Sequence, residues 1–380
     1  MRRALLCAAA LLPLRAVAAT TLDDPTFYLH DEVYQPPPRR MAQWEAGQLA
    51  RTGNVWIDLG SVDGAEYDAI ERGVVNLELA TRFSFHGEIR NDRDPDVRVT
   101  RAVADLLVNV APGLWLGASG VPAARKQDYG VGGSVLFASA SRARYLLARL
   151  VADQFLYNRT NVDGGTRASP VLHAEAEGRW EDGPWSVAGS LDATTESETS
   201  FPSAALVTFE SSSRRELSLH GRYAVSALEL DARFDVRRLR RAQTQLGATS
   251  ALRQTVATVR LDALLPPVAG TRWRPRLGLR ALTGEATSEE AGIASTLTRR
   301  EPGARIAALR EGDTAAWELG YALAVPVLRQ TGGAEAAPYQ DIVYGSTELA
   351  FGLISIRALF SWELRNARFG GANANVLMQF

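Results

Sequence analysis

From residue 74 onward the chain alternates apolar and polar positions with a period of two. Val75, Leu77, Leu79, Phe83, Phe85 and Ile89 stand between Asn76, Glu78, Arg82, Ser84, His86, Glu88 and Arg90. Successive side chains of a strand point to opposite faces, so this run predicts one long strand with an apolar face and a polar face. The alternation returns at 172–180, with Glu175, Glu177 and Arg179 on the polar side, and at 217–223. It returns again at 228–236, with Asp231, Arg233 and Asp235, at 273–281 behind Arg272, Arg274, Arg276 and Arg280, and at 354–364. Strands are predicted at 73–91, 96–110, 113–120, 128–139, 143–158, 167–181, 184–196, 214–225, 227–239, 251–264, 271–283, 302–310, 314–326, 345–353, 354–367 and 371–380, sixteen in all.

Charges at every second position need water on one face, and the apolar alternates need something apolar on the other. In a soluble sandwich the apolar faces meet each other. In lipid a closed sheet leaves no edge and satisfies every backbone group. The length of the alternating runs favours the second arrangement. The expected fold is all-β: a transmembrane antiparallel up-and-down barrel of about sixteen strands over residues 72–380. The connections agree with it. Ala111-Pro112, Glu181-Asp182-Gly183, Val225-Ser226-Ala227 and Glu311-Gly312-Asp313 are short, whereas 197–213, 240–250, 284–301 and 327–344 are long. Short turns on one side and long loops on the other are the habit of such barrels. Trp180, Trp185, Tyr223, Trp273 and Trp317 lie by the short turns on the apolar face, as an interfacial girdle would.

The N-terminus differs. Met1-Arg2-Arg3, the apolar run Ala4 to Leu14 and the small-residue pattern Ala16-Val17-Ala18 predict a secretory signal peptide over 1–19. Residues 20–71, with Pro36-Pro37-Pro38 and Trp44, are expected to form a periplasmic segment: a plug in the barrel or a dock for a periplasmic partner. Asn54 to Leu59 has the composition of a short strand. Cys7 lies in the signal peptide, so no structural disulfide, cysteine zinc site or haem attachment is expected. The formal net charge is −1, and removing Arg2, Arg3 and Arg15 makes it −4, which points away from nucleic acid. Of the 42 basic residues only Lys126 is lysine.

The C-terminus is the most specific stretch. Ala372, Ala374, Val376, Met378 and a final Phe380 resemble the last strand of Gram-negative outer-membrane β-barrel proteins, a porin-like superfamily. The resemblance implies that Phe380, Met378 and Val376 are read by the barrel-assembly machinery. It also implies a protein resident in the outer membrane, among lipid and lipopolysaccharide.

Candidate chemistry concentrates on the polar face. Arg272, Arg274, Arg276 and Arg280 form a ladder, with Arg260 on the preceding strand and Arg305 near the next. Like charges about 7 Å apart repel unless acids or anions sit among them. The ladder is therefore either an anion-attracting stripe in a pore or one side of a set of wall salt bridges. Glu175, Glu177, Glu229, Asp231 and Asp235 are the acidic counterpart, and pore lining or ion pairing accounts for them better than acid–base catalysis or calcium. His86, His173 and His220 share the polar face, and Ser218 with His220 has only the spacing of any alternating strand. No catalytic, metal or cofactor residues are assigned. The expected function is an outer-membrane channel for small polar or anionic solutes. The alternatives are an export conduit for an exopolysaccharide or other secreted polymer, a sheath or scaffold barrel around a periplasmic or electron-transfer complex, and a barrel hydrolase.

Overall fold

The computed structural model describes residues 54–63, 69–93, 98–121, 130–140, 143–153, 166–167, 171–203, 206–245, 248–290, 293–331, 333–335 and 339–379. The expected signal peptide, the proline-rich stretch with Trp44, and Phe380 lie outside them. The described residues form strands β1 (Asn54–Asp63), β2 (Ala69–Ala80), β3 (Phe83–Arg93), β4 (Arg98–Ala111), β5 (Leu114–Val121), β6 (Gly130–Ala138), β7 (Arg144–Asp153), β8 (Thr166–Arg167), β9 (Val171–Asp182), β10 (Trp185–Thr194) and β11 (Ser197–Ser203). The second half continues with β12 (Leu206–Val225), β13 (Leu228–Gln245), β14 (Ala248–Leu264), β15 (Trp273–Glu290), β16 (Ile293–Glu311), β17 (Ala315–Ala324), β18 (Val327–Gln330), β19 (Gly333–Glu335), β20 (Gln340–Phe351), β21 (Ile354–Glu363) and β22 (Arg368–Gln379).

Short strands β8, β11, β18 and β19 extend hairpins at the end of the long connections. The other eighteen are antiparallel, each paired with its neighbours in chain order. β1 pairs with β2 on one side and with β22 on the other, so the pairings return to their starting strand. The strand number corrects the expected sixteen in two places. Asn54–Asp63 is a wall strand rather than part of a separate N-terminal segment. The run 73–91 is a hairpin, β2–β3, rather than one strand. A register shift between Glu78 and Ala80 makes Leu77 face Phe85 and Asn76 face His86 across the turn. That bulge keeps odd positions on one face through the turn, so a period-two reading cannot see the break.

The connections 240–250 and 284–301 are also mostly strand. β13 and β14 run on to Gln245 and Ala248, and β15 and β16 to Glu290 and Ile293. In these upper parts the outer face turns polar, with Arg240, Arg253, Glu285 and Glu289, while Leu252, Val256, Leu282 and Ala286 with Leu297 pack on the inner face, so the apolar-out, polar-in alternation is lost. At the opposite end the turns are tight. Gly183 holds φ 56° and Ser226 φ 55°, the left-handed backbone that two-residue hairpins need.

One face of the wall is apolar and exposed, with Leu219, Leu230, Leu261, Leu279 and Ile306. The other carries the charged residues and is buried or half-buried. On β12 to β15 the exposed face is continuously apolar over 217–225, 228–236, 257–265 and 273–281. Each stretch is about nine residues, the length a tilted strand needs to cross a bilayer core. The inner face also holds apolar clusters: Leu107, Leu136, Tyr145 and Leu147 with Trp115, and Ala322, Ala324, Ile342, Tyr344 and Leu359 with Ala307. The wall bends sharply near β5–β7, where the unpaired strands β5 and β7 come within 8 Å at their Cα atoms. Gly132 permits this, because a Cβ there would overlap the Leu150 carbonyl.

Candidate functional site: the charged inner wall

The candidate site is the inner face of β7 to β17, where the alternation places charged residues on neighbouring strands in matched rows. One row runs through Arg233, Arg260 and Arg280, and the adjacent row through Asp231, Asp262 and Gly278 to Arg305. Basic and acidic rows therefore interleave, and each guanidinium reaches along or across the wall to a carboxylate.

The arginine ladder resolves into ion pairs. Arg274 Nη1 donates to Glu229 Oε1 and to Glu311 Oε2, both at 2.9 Å. Arg276 Nη2 lies 3.1 Å from Glu318 Oε2, and Arg280 Nη1 lies 3.2 Å from Glu301 Oε1. Glu301 also pairs with Arg299, and both side chains are 0% exposed. Arg260 Nε is 3.7 Å from Asp262, whose other oxygen accepts from Arg305. Gly278 makes room for that reach, since a Cβ there would stand 2.5 Å from Asp262 Oδ1 and 3.3 Å from Arg305. Arg272 departs from the expected ladder: it precedes β15 and is exposed in the turn. Of the two readings of the ladder, the wall salt bridges are what the geometry holds.

The acidic residues are partnered too. Arg149 binds both Asp105 and Glu175, tying β7 to β4 and β9. Tyr145 donates to Glu177, and Arg179 pairs with Glu181. Arg233 Nε lies 2.9 Å from Asp235 Oδ2, and Ser218 Oγ donates to Asp235 Oδ1 at 2.6 Å. His220 Nε2 is 2.5 Å from Asp231 Oδ2. Ser218 and His220 thus bind separate carboxylates on β13 and are not brought together as a nucleophile and its base. His86 Nδ1 sits 2.7 Å from Asn76 Oδ1. His173, Glu175 and Asp192 bring possible ligand atoms within 4.8 Å of one another. His173 Nε2 lies 3.0 Å from Glu175 Oε1 and 2.9 Å from Asp192 Oδ2, while Arg149 occupies the other Glu175 oxygen.

The site has two environments. Inner charges on β14 to β17 are packed: Asp262, Glu301, Arg305 and Glu318 expose 4% or less of their side chains. Most inner charges on β9 to β13 are half-open, from 17% for Arg222 to 44% for Arg237, with Arg179, 3% exposed, and Asp231, 10% exposed, buried among them. Sequence reading missed Glu301, Glu318 and Tyr344 in the packed half and Glu311, 26% exposed, at its rim. Tyr344 donates to Glu318 Oε1 at 2.8 Å, with its ring in the slot left by the missing side chain of Gly320. Period two puts Glu318 and Tyr344 on one face, but which arginine an acid meets depends on the strand register.

At the short-turn rim the outer aromatics are placed as expected. Trp185 and Tyr223 lie side by side, ring centroids 4.4 Å apart. Arg310 sits between Trp273 and Trp317, at 6.0 and 5.9 Å from the ring centroids. On the last strand Val376 and Met378 face outward, opposite Ile57 and Val55 of β1.

A ring of antiparallel strands with an apolar exposed band and a charged interior is the fold of a membrane-spanning β-barrel, the fold that the resemblance of the C-terminal strand implies. No protein-family model and no curated protein matches the chain. Among solved structures it is similar to OmpT, an outer membrane protein of Vibrio cholerae, at 10% identity and TM-score 0.37, over 86% of this chain and 96% of that one. It is similar to a bacterial polysaccharide outer membrane secretin at 13% identity and TM-score 0.35, over 88% and 100%. It is also similar to an anion-selective porin from Comamonas acidovorans at 12% identity and TM-score 0.32, over 86% and 96%.

Proposed function

We propose that the chain is an outer-membrane channel for small polar solutes, and that the half-open inner face of β9 to β13 is the wall along which they pass. The observation that carries this reading is the division of the inner wall. On β14 to β17 most of the charges are packed into salt bridges, and on β9 to β13 most of them are half-open. The arginine ladder belongs to the packed half and is neutralised, so it is not the selectivity element. In the half-open strip the seven acids Glu175, Glu177, Glu181, Asp192, Glu216, Glu229 and Asp235 outnumber the five arginines Arg214, Arg222, Arg233, Arg237 and Arg241. A narrow passage lined by one sign of charge concentrates the opposite ion. The channel therefore has a mild preference for cations and neutral polar solutes over anions.

The test is planar-bilayer conductance of the full chain in a salt gradient. The expected result is steady steps with a cation-selective reversal potential that moves toward the anion side in Asp192→Asn/Asp235→Asn. An anion-selective reversal potential, or no movement in the variant, refutes the assignment of the path. Silence of the intact protein refutes the open channel.

A further inference from the structure

The inner and outer faces of the wall treat arginine differently. On the inner face guanidiniums are met by carboxylates. On the outer face, Arg215 of β12, Arg238 and Arg240 of β13, and Arg253 of β14 are exposed. Arg215 stands directly opposite Arg238, and Arg240 directly opposite Arg253. Like charges facing each other across a strand pair are destabilising. Among the described residues none of the four guanidiniums has a hydrogen-bond or ion-pair partner. The outward carboxylates Glu285 and Glu289 of β15 only border the cluster, on either side of Thr287, which pairs with Arg253. Four guanidiniums in this arrangement are a site for an external anion.

Position identifies the anion. The row Arg215–Arg238 follows immediately on the apolar row Leu217–Val236–Ala257, where the outer face changes from apolar to charged. The apolar stretches below it are of membrane-crossing length, so the cluster stands at the level of the lipid headgroups. A lipid whose chains lie against the exposed Leu219, Val259 and Leu261 carries its headgroup to the four arginines. The guanidinium fork matches phosphate oxygens two at a time, and arginines near an anionic membrane surface are drawn to it.

We propose that Arg215, Arg238, Arg240 and Arg253 form a docking site, on the lipid-facing surface, for the phosphate-bearing headgroups of the leaflet at the long-connection end. The site is separate from the inner wall and stands whether or not the barrel conducts. Its occupant is a membrane lipid, because a soluble anion would gain nothing from the apolar rows below.

The test uses the full chain refolded in an uncharged detergent, with a bis-phosphorylated glycolipid as probe and native mass spectrometry as readout. The expected result is retention of the glycolipid in preference to phosphatidylcholine, with affinity reduced at least about tenfold in Arg238→Gln/Arg240→Gln and in Arg215→Gln/Arg253→Gln. Both variants relieve like-charge pairs, so the lipid-free unfolding midpoint should stay level or rise. Independently of any variant, binding to the unaltered protein should weaken severalfold as salt is raised to about 1 M, where charge interactions are screened beyond about 3 Å. Equal retention of phosphatidylcholine, or unchanged affinity in both variants, overturns the site. Displacement of the glycolipid by inorganic phosphate at the same phosphate concentration overturns the lipid as occupant.

Discussion

Glu318 is the most exacting place to test the packed half of the wall. It lies on the inner face of β17, 3% exposed, beside Arg276 at 5%. Its Oε2 lies 3.1 Å from Arg276 Nη2, and its Oε1 accepts from Tyr344. Glu318→Gln keeps the shape and the acceptor for Tyr344 but removes the charge. Arg276 then loses the carboxylate in direct contact with it while staying buried, and breaking a buried pair in this way costs about 3–5 kcal/mol. The assay is the heat- or urea-induced loss of the compact, fast-migrating form of the refolded protein in detergent. The single variant is expected to lose about 3 kcal/mol or more. Glu318→Gln/Arg276→Met is expected to recover most of that, because an apolar side chain of similar volume needs no counter-charge. A loss below about 1 kcal/mol in Glu318→Gln is the value of a solvated pair. That result would refute the packing of this half of the wall, and the path assignment with it.

Two further outcomes follow from the wall's geometry. Gly132→Ala puts a Cβ onto the Leu150 carbonyl, so the β5–β7 bend must open; refolding yield measured by the gel-migration assay should fall sharply, and an unchanged yield would show that the bend can relax. Trp317→Ala removes one of the two rings flanking Arg310, and cation–π contacts at exposed sites are worth about 0.5–1 kcal/mol; a correspondingly small drop in unfolding free energy is expected in lipid vesicles, and a loss several times larger would mean that Trp317 anchors more than Arg310.

Much of the architecture was legible because a membrane wall imposes a local rule. Each strand crossing lipid must show apolar side chains on one face, so the alternation at 172–180, 228–236 and 273–281 reads directly as strand and side. The outward placement of Trp185, Trp317, Val376 and Met378 follows from the same rule. The rule stops where lipid stops. The upper parts of β13 to β16 are polar on the outer face and read as loops, although they continue the same ladders and pack Leu252, Leu282 and Ala286 inside. It is also blind to an in-phase turn, which is why β2 and β3 read as one strand.

The inner wall divides in the same way between sequence and structure. Sequence places Arg274, Arg276, Arg280, Glu175 and Asp231 on the charged face, since parity alone decides the face. It leaves open whether the arginines form a free stripe or a set of salt bridges. Partners lie on other strands, Arg276 with Glu318 and Arg305 with Asp262, 42 and 43 residues away in the chain. Register and wall curvature bring them together, as do the empty spaces above Gly278 and Gly320. The exposed like-charge pairs Arg215–Arg238 and Arg240–Arg253 arise from register as well. Parity is a property of one strand and is written in its own residues, whereas register joins two strands and is set only when the ring of strands assembles.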